Sequence, residues 1–248
     1  MPSNGAMRFP SPLSRGVLLR RYKRFLADVR LADGAEVTAS VPNTGSMLGL
    51  CEPGSIIWLS HSTSATRKYS HTWELIETDL GRGPTLVGIN TSLPNKLVEE
   101  AVWAGSIPEL GGYQKLRREV KYGLASRIDL LLEHADGRLC YVEVKNVHMS
   151  RKPGLAEFPD CVSERAAKHL VELSQMVRDG HRAVMVYLVQ RADTLAFQLA
   201  GDKDPKYQAA FAAARADGVE ALVYACTVTT SAIEVAKRLP LRPPPHLS

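Results

Sequence analysis

Ser126 to Asn146 reads SRIDLLLEHADGRLCYVEVKN. Both halves are apolar and alternating, which predicts two strands joined by a tight turn. Ile128, Leu130 and Leu132 share one face of the first strand, and Val142 and Val144 share one face of the second. The opposite faces carry charge, with Asp129 on the first strand and Glu143 and Lys145 on the second. Glu143 and Lys145 are two residues apart and so point the same way, roughly 7 Å from each other along the strand.

The turn decides whether these groups meet. A two-residue loop at Asp136-Gly137 pairs Asp129 with Val144 and turns Glu143 to the wrong face. A three-residue loop, Ala135-Asp136-Gly137 with Gly137 left-handed, pairs Asp129 with Glu143 instead. The second register is the expected one, because such loops commonly end in glycine. It gathers two carboxylates and one ammonium. Adjacent carboxylates repel unless a cation lies between them, and oxygen donors of this kind suit magnesium or manganese. Lys145 then orients or deprotonates a water, or stabilises charge on a phosphate. The plainer alternative is a salt bridge on a half-buried hairpin.

A chain of 248 residues is long enough for one or two domains with real cores. The net charge of +5 permits an anionic partner such as nucleic acid without requiring one. Cys51, Cys140, Cys161 and Cys226 are scattered, with no C-x-x-C pair. They read as reduced cysteines rather than a disulfide frame or a zinc site. No stretch is apolar enough to span a membrane, and MPSNGAMRFPSPLS lacks the apolar segment of a signal peptide. The expectation is a soluble cytoplasmic protein with no membrane partner.

The chain opens with Arg8, Arg15, Arg20, Arg21, Lys23 and Arg24 before its first acidic residue, Asp28. Short strand-like runs follow: GVLLRRYKRFLADVRL, Glu36 to Val41, Ser55 to Ser60 and Thr72 to Glu77. Separated by Gly, Pro, Asn and Ser, they predict a small antiparallel barrel of the oligonucleotide-binding (OB) type. Arg20, Arg21, Lys23 and Arg24 are candidate phosphate contacts on it; a solvated edge is the alternative. Tyr22, Phe25 and Trp73 are either stacking residues or barrel core. The loop VPNTGSMLGL offers Asn43, Thr44, Gly45 and Ser46 as donors for an anion, but lacks the Gly-Lys-Ser/Thr ending of a P-loop.

The pattern changes near residue 85. Pro94 to Ala104 reads as a helix closed by Gly105. A strand near Arg117 to Tyr122, the hairpin, and an amphipathic helix over Ser163 to Asp179 follow. AVMVYLV is a continuous apolar run, as in a buried strand. A helix over Pro205 to Ala216, a strand over Val219 to Thr227 and a loose Pro-rich tail complete the order. This divides the chain at 1–85, 86–240 and 241–248.

An α-β-β-β-α-β core with Asp on its second strand and Glu-x-Lys on its third resembles the PD-(D/E)xK, or restriction-endonuclease-like, superfamily. RRYKRFLADV, VPNTGSMLGLCEPG, TSLPNKLVEEA, REVKYG…SRIDLLLE, YVEVKNV and FPDCVSERAAKHL closely resemble the sugar fermentation stimulation protein (SfsA) family, from Met7 to about Leu239. The resemblance implies an α/β (α+β) chain, an OB-like barrel followed by a nuclease-like domain, and DNA binding with a regulatory role in maltose metabolism. It implies that Asp129 and Glu143 hold a metal and that Lys145 is catalytic. It also implies that Glu100 is an additional acidic residue on the first helix, with Glu99 facing solvent. Ile128 stands where the motif name has proline. Glu164, Arg165, Lys168 and His169 reach substrate phosphates, with an exposed helix flank as the alternative for Lys168 and His169; Gln190 lines the site or caps its strand. Two functions remain open: a magnesium- or manganese-dependent nuclease cutting DNA or RNA, and a non-catalytic DNA-binding regulator on the same scaffold. A sugar-handling enzyme finds no support in these residues.

Overall fold

The computed structural model describes residues 6–123 and 126–243. Its first strand, β1 (Ala6–Arg8), pairs antiparallel with the last, β15 (Ala232–Arg238), and not with the barrel that follows it. Met7 explains this: its side chain is buried in the core of the C-terminal sheet. The run GVLLRRYKRFLADVRL then breaks into a hairpin, β2 (Ser14–Tyr22) and β3 (Leu26–Leu31). Lys23 and Arg24 turn it with φ of 50° and 65°, values uncommon for side chains larger than glycine.

β4 (Glu36–Ser40), β5 (Ile56–His61) and β6 (His71–Thr78) close a ring of five strands in the order β2-β3-β4-β6-β5. The closing contact is short and parallel, Ala39 with His71 and Ser40 with Thr72. Irregular registers at Leu18/Arg20 and Trp58/Leu59 are bulges, which bend strands enough to close a small barrel. β7 (Thr85–Gly88) pairs with the far end of β6. Leu18, Val29, Ile57, Leu59, Trp73 and Ile76 fill the interior. Trp73 is therefore core and not a stacking residue. Tyr22 is half-buried with its hydroxyl on Asp28, whereas Phe25 stands 50% exposed.

The second sheet adds β8 (Lys115–Tyr122), β9 (Ser126–Glu133), β10 (Leu139–Val147), β12 (Arg182–Val189) and β14 (Glu220–Val228). Its order is β1-β15-β14-β12-β10-β9-β8. Two short strands, β11 (Leu155–Phe158) and β13 (Ala196–Leu199), pair separately. Helix α1 (Pro94–Ala104) packs on one face, and α2 (Glu164–Arg178) and α3 (Pro205–Ala216) on the other. That explains the unbroken apolar run of β12. Val184, Val186 and Leu188 meet the α1 side, and Met185, Tyr187 and Val189 the α2–α3 side. The β9–β10 turn has the three-residue form: His134 N–H donates to Arg138 O at 2.9 Å, and Gly137 has φ 83°. The four cysteines are free. Among the described residues no helix is long and apolar enough to cross a membrane. Leu241 and Arg242 are tied to Phe197, so the tail is anchored there; 244–248 lie outside the described residues.

Candidate active site

The ladder between β9 and β10 ends at Leu130–Val142. The next pair in that register is Asp129 with Glu143, and here the strands part. Asp129 Oδ2 accepts the Val144 N–H at 2.7 Å, replacing a backbone carbonyl. Its other oxygen accepts from Asn95 Nδ2 on α1 at 2.8 Å. Glu143 projects from β10 toward α2 and is 2% exposed. Its Oε1 accepts from Lys145 Nζ at 2.8 Å and makes a very short contact with His169 Nδ1. Lys145 Nζ also lies 3.3 Å from that imidazole nitrogen, and Arg165 Nε lies 3.4 Å from His169 Nε2. The structure thus brings Asp129, Glu143 and Lys145 together.

The two carboxylates differ electrostatically. Burial, and then the charge of Glu143, push the Asp129 carboxyl up to about 6. Burial also acts to raise Glu143, but the His169 hydrogen bond and the Lys145 charge outweigh it, so its pKa falls below the ordinary value. Paired acidic groups driven apart in this way mark functional sites. Glu143 Oε2 is buried with no hydrogen-bond partner, an acceptor that costs stability unless something fills it.

That orphaned oxygen beside Asp129 fits a hard divalent cation. Among the described residues no group of three or more His, Cys, Asp or Glu is arranged to hold a metal. The protein offers two carboxylates, a donor set for a hard divalent cation that takes its remaining ligands from water or substrate oxygens.

Other expected residues sit differently. Glu100 makes no described hydrogen bond to the cluster; it pairs with Lys96 at 3.7 Å, and its Oε2 is buried without a hydrogen-bond partner. The helix phase explains the correction. Asn95, Glu99 and Val102 form one edge of α1, three to four residues apart, while Glu100 lies on the other. Glu99 does not face open solvent but pairs with Arg118 at 3.4 Å. His169 is 5% exposed and holds Glu143, so it is no exposed flank. Its position in the buried stripe Ala166-His169-Leu170-Leu173 was a signal for this. Lys168 remains on the surface near Glu172 at 3.7 Å. A cleft of about 590 Å³ opens at His169, with Glu119, Arg127, Glu164, Arg165 and Lys168 around it. Glu119 has φ 52°, backbone strain at the cleft's wall.

The barrel's cations also need correction. Arg20 pairs with Asp28 at 2.7 Å. Arg21 donates to the carbonyls of Arg24, Asn43 and Gly45 at 2.8, 2.8 and 3.0 Å, so it braces the loop rather than facing a phosphate. Asn43 is buried, with Nδ2 on Ile89 O and Oδ1 on Gly45 N–H. The anion expected in that loop is internal: Asp160 accepts from Ser46 Oγ at 2.9 Å and Met47 N–H at 3.1 Å. Lys23 and Arg24 remain exposed. Gln190 is fully buried and donates to Asn146 Oδ1, tying the end of β12 to β10.

A closed OB barrel followed by a restriction-endonuclease-like sheet, with Asp129 and Glu143 where two strands part, defines a nuclease-like class of protein. Residues 92–232 match the model of the sugar fermentation stimulation protein RE domain, and residues 19–89 that of the SfsA N-terminal OB domain. The chain belongs to the sugar fermentation stimulation protein (SfsA) family. A homolog from Azorhizobium caulinodans is 56% identical over 235 residues, 95% of this chain and 99% of that one. One from Brucella ovis is 55% identical over 95% of this chain and 97% of that one. The solved SfsA of Pyrococcus furiosus, in complex with Ca2+, superposes with a TM-score of 0.85 at 28% identity, covering 96% of this chain and 98% of that one.

Proposed function

We propose that this chain is a magnesium- or manganese-dependent phosphodiesterase acting on DNA, with Asp129 and Glu143 as the protein's ligands to the cation. The observation that carries this reading is the buried, unpartnered Glu143 Oε2 beside an Asp129 carboxyl raised to about 6. The Pyrococcus furiosus relative was solved with Ca2+, a hard cation of the kind that such oxygens favour. When bound, the ion supplies Lewis-acid polarisation of a phosphate and lowers the pKa of water. Asp129 is ionised above about pH 6 and so competent at neutral pH. Lys145 has three donors; one holds Glu143, and another is placed for a phosphate oxygen as negative charge develops. His169 fixes the Glu143 carboxylate. Arg127, Arg165 and Lys168 beside the cleft, with Lys23 and Arg24 on the barrel, receive flanking phosphates. RNA offers the same phosphodiester chemistry. The reading assigns this work to the cytoplasm, a setting that free cysteines suit.

Calorimetric titration of manganese into the parent and into Asp129→Asn tests the cation site. Saturable uptake by the parent, lost in the variant, is the expected result. A parent that takes up none would leave a DNA-binding protein on a nuclease scaffold.

A further inference from the structure

β6 carries one residue more than its partner needs. Leu59 of β5 pairs with Trp73 and Trp58 with Leu75, so Glu74 is the extra residue of a bulge. Bulges re-aim side chains. This one places a carboxylate at a cavity of about 390 Å³ between the ends of β4 and β5 and the turn at Asn90–Ser92. Glu74 is only 6% exposed. Ser60 Oγ donates to its Oε1 and Asn90 Nδ2 to its Oε2, each at 2.7 Å. The Asn90 amide is locked in that sense, since its Oδ1 accepts from both the N–H and the Oγ of Ser92.

Both of these donors are neutral, and Arg67, which also lines the cavity, donates to Thr72 Oγ1 at 3.0 Å rather than to Glu74; a buried carboxylate held in this way is costly to keep. Each carboxylate oxygen accepts about two hydrogen bonds, so each has one site left. Two parallel acceptors match two adjacent N–H donors. Among the bases, guanine alone presents such a pair, N1–H and N2–H, on its Watson–Crick edge. Phe25 and Tyr69 line the same cavity, and exposed aromatic rings are stacking platforms for unpaired bases. Lys23 and Arg24 flank Phe25, and Arg67 and Lys68 precede Tyr69, all four exposed.

We infer that this cavity takes one unpaired guanine of a single-stranded nucleic acid, its Watson–Crick edge on Glu74 and its ring against Phe25. The inference rests on the reading of the chain as a protein acting on nucleic acid, and adds which base it selects and where. Asn95, which holds Asp129, follows Ser92 by three residues, so a strand gripped here lies at the end of α1 that also meets the candidate catalytic cluster.

The test is fluorescence anisotropy of labelled single-stranded oligothymidine carrying one guanosine, one inosine or neither, in the presence of a chelator. Inosine keeps N1–H and lacks the N2 amine. The guanosine strand should bind roughly tenfold more tightly than the other two. Glu74→Gln, which offers one acceptor and one donor, should erase that difference. Phe25→Ala should weaken every strand by about tenfold and leave the guanosine-to-inosine ratio unchanged. Equal affinity for the three strands in the parent overturns the inference, and so does a guanosine preference that survives in Glu74→Gln. Competition by arginine amide, with none by guanosine monophosphate, would also overturn it, since a guanidinium carries the same donor pair. If Glu74→Gln does not fold, the parent's guanosine–inosine comparison still decides. Binding under chelation is blind to cleavage, so failure here and failure of the nuclease reading are separately visible.

Discussion

Asp129 is the residue on which stability and chemistry pull in opposite directions. Its carboxyl is raised from 3.8 to about 6 in the folded chain, by burial and by Glu143. The folded state therefore holds the Asp129 proton more tightly than the unfolded state does. Below about pH 4 the group is neutral in both states and contributes no difference; as pH rises through 6 it becomes a charge that opposes folding. Asp129→Asn should accordingly stabilise the metal-free protein by about 1–3 kcal/mol at pH 8, the gain fading toward zero near pH 4. The shape is preserved, because the Asn95 amide turns over to accept where it now donates. Urea unfolding across that pH range, with chelator present, checks it; a variant less stable than the parent at pH 8 would contradict the assignment. The identities of Asp129, Glu143 and Lys145 were legible in the sequence because alternation and spacing carry them. The side chains that complete the cluster were harder to see. Asn95 and His169 arrive from helices, where a phase error of one residue exchanges Asn95 and Glu99 for Glu100. Arg20 and Arg21 read as free charge because their partners, Asp28 and three carbonyls, meet them only across a hairpin and a loop.

The hairpin of β9 and β10 sets the register of the whole cluster, and Gly137 sets the hairpin. Its φ of 83° is open to glycine at little cost, and nothing lies within 4 Å of where a Cβ would stand. Gly137→Ala should thus cost about 1–2 kcal/mol through backbone strain alone, without altering the native structure. Thermal unfolding and the amide spectrum of the hairpin would show it; an unchanged melting temperature would mean that the loop relaxes into another form. This register could be read from sequence because a slip of one residue would turn every apolar side chain outward. The parting of the strands beyond Leu130–Val142 could not. Nothing in the alternation announces where a carboxylate replaces a carbonyl on the Val144 N–H. β11 and β13 also escaped notice, being four residues each and paired only with one another.

Barrel and nuclease-like sheet are held together at several points distant in sequence. β1 crosses to β15, Gly88 N–H donates to Gln190 O at 2.8 Å, and Asp160 enters the Asn43–Met47 loop. Although burial acts to raise it, the Asp160 carboxyl lies well below the usual range because His148, Ser46 and Met47 favour its charge. A depressed pKa contributes stability above about pH 4 that is lost as pH falls below it. Asp160→Ala should cost about 2–3 kcal/mol at neutral pH, with a smaller deficit in acid, since it strands the Met47 N–H and removes the carboxylate that faces His148. Urea unfolding at both pH values tests this; an equal deficit at each would rule out the charge as the cause. That an OB barrel precedes a nuclease-like sheet was legible because short strand runs give way to helix periodicity along the chain; the dividing point was not, since β7 (Thr85–Gly88) still pairs with β6 of the barrel. The joint was not, because β1, Asp160 and Gln190 make contacts that no local pattern encodes.

The central claim is that Asp129 and Glu143 serve a cation that cuts phosphodiesters. Its most direct test is the magnesium- or manganese-dependent release of fragments from labelled DNA, single- and double-stranded, by the parent beside Asp129→Asn. Cleavage is expected from the parent alone, abolished by chelator and weakened in acid as protons compete with the cation for Asp129. Cleavage retained in Asp129→Asn, or DNA left whole by a parent that binds it and takes up metal, would contradict it.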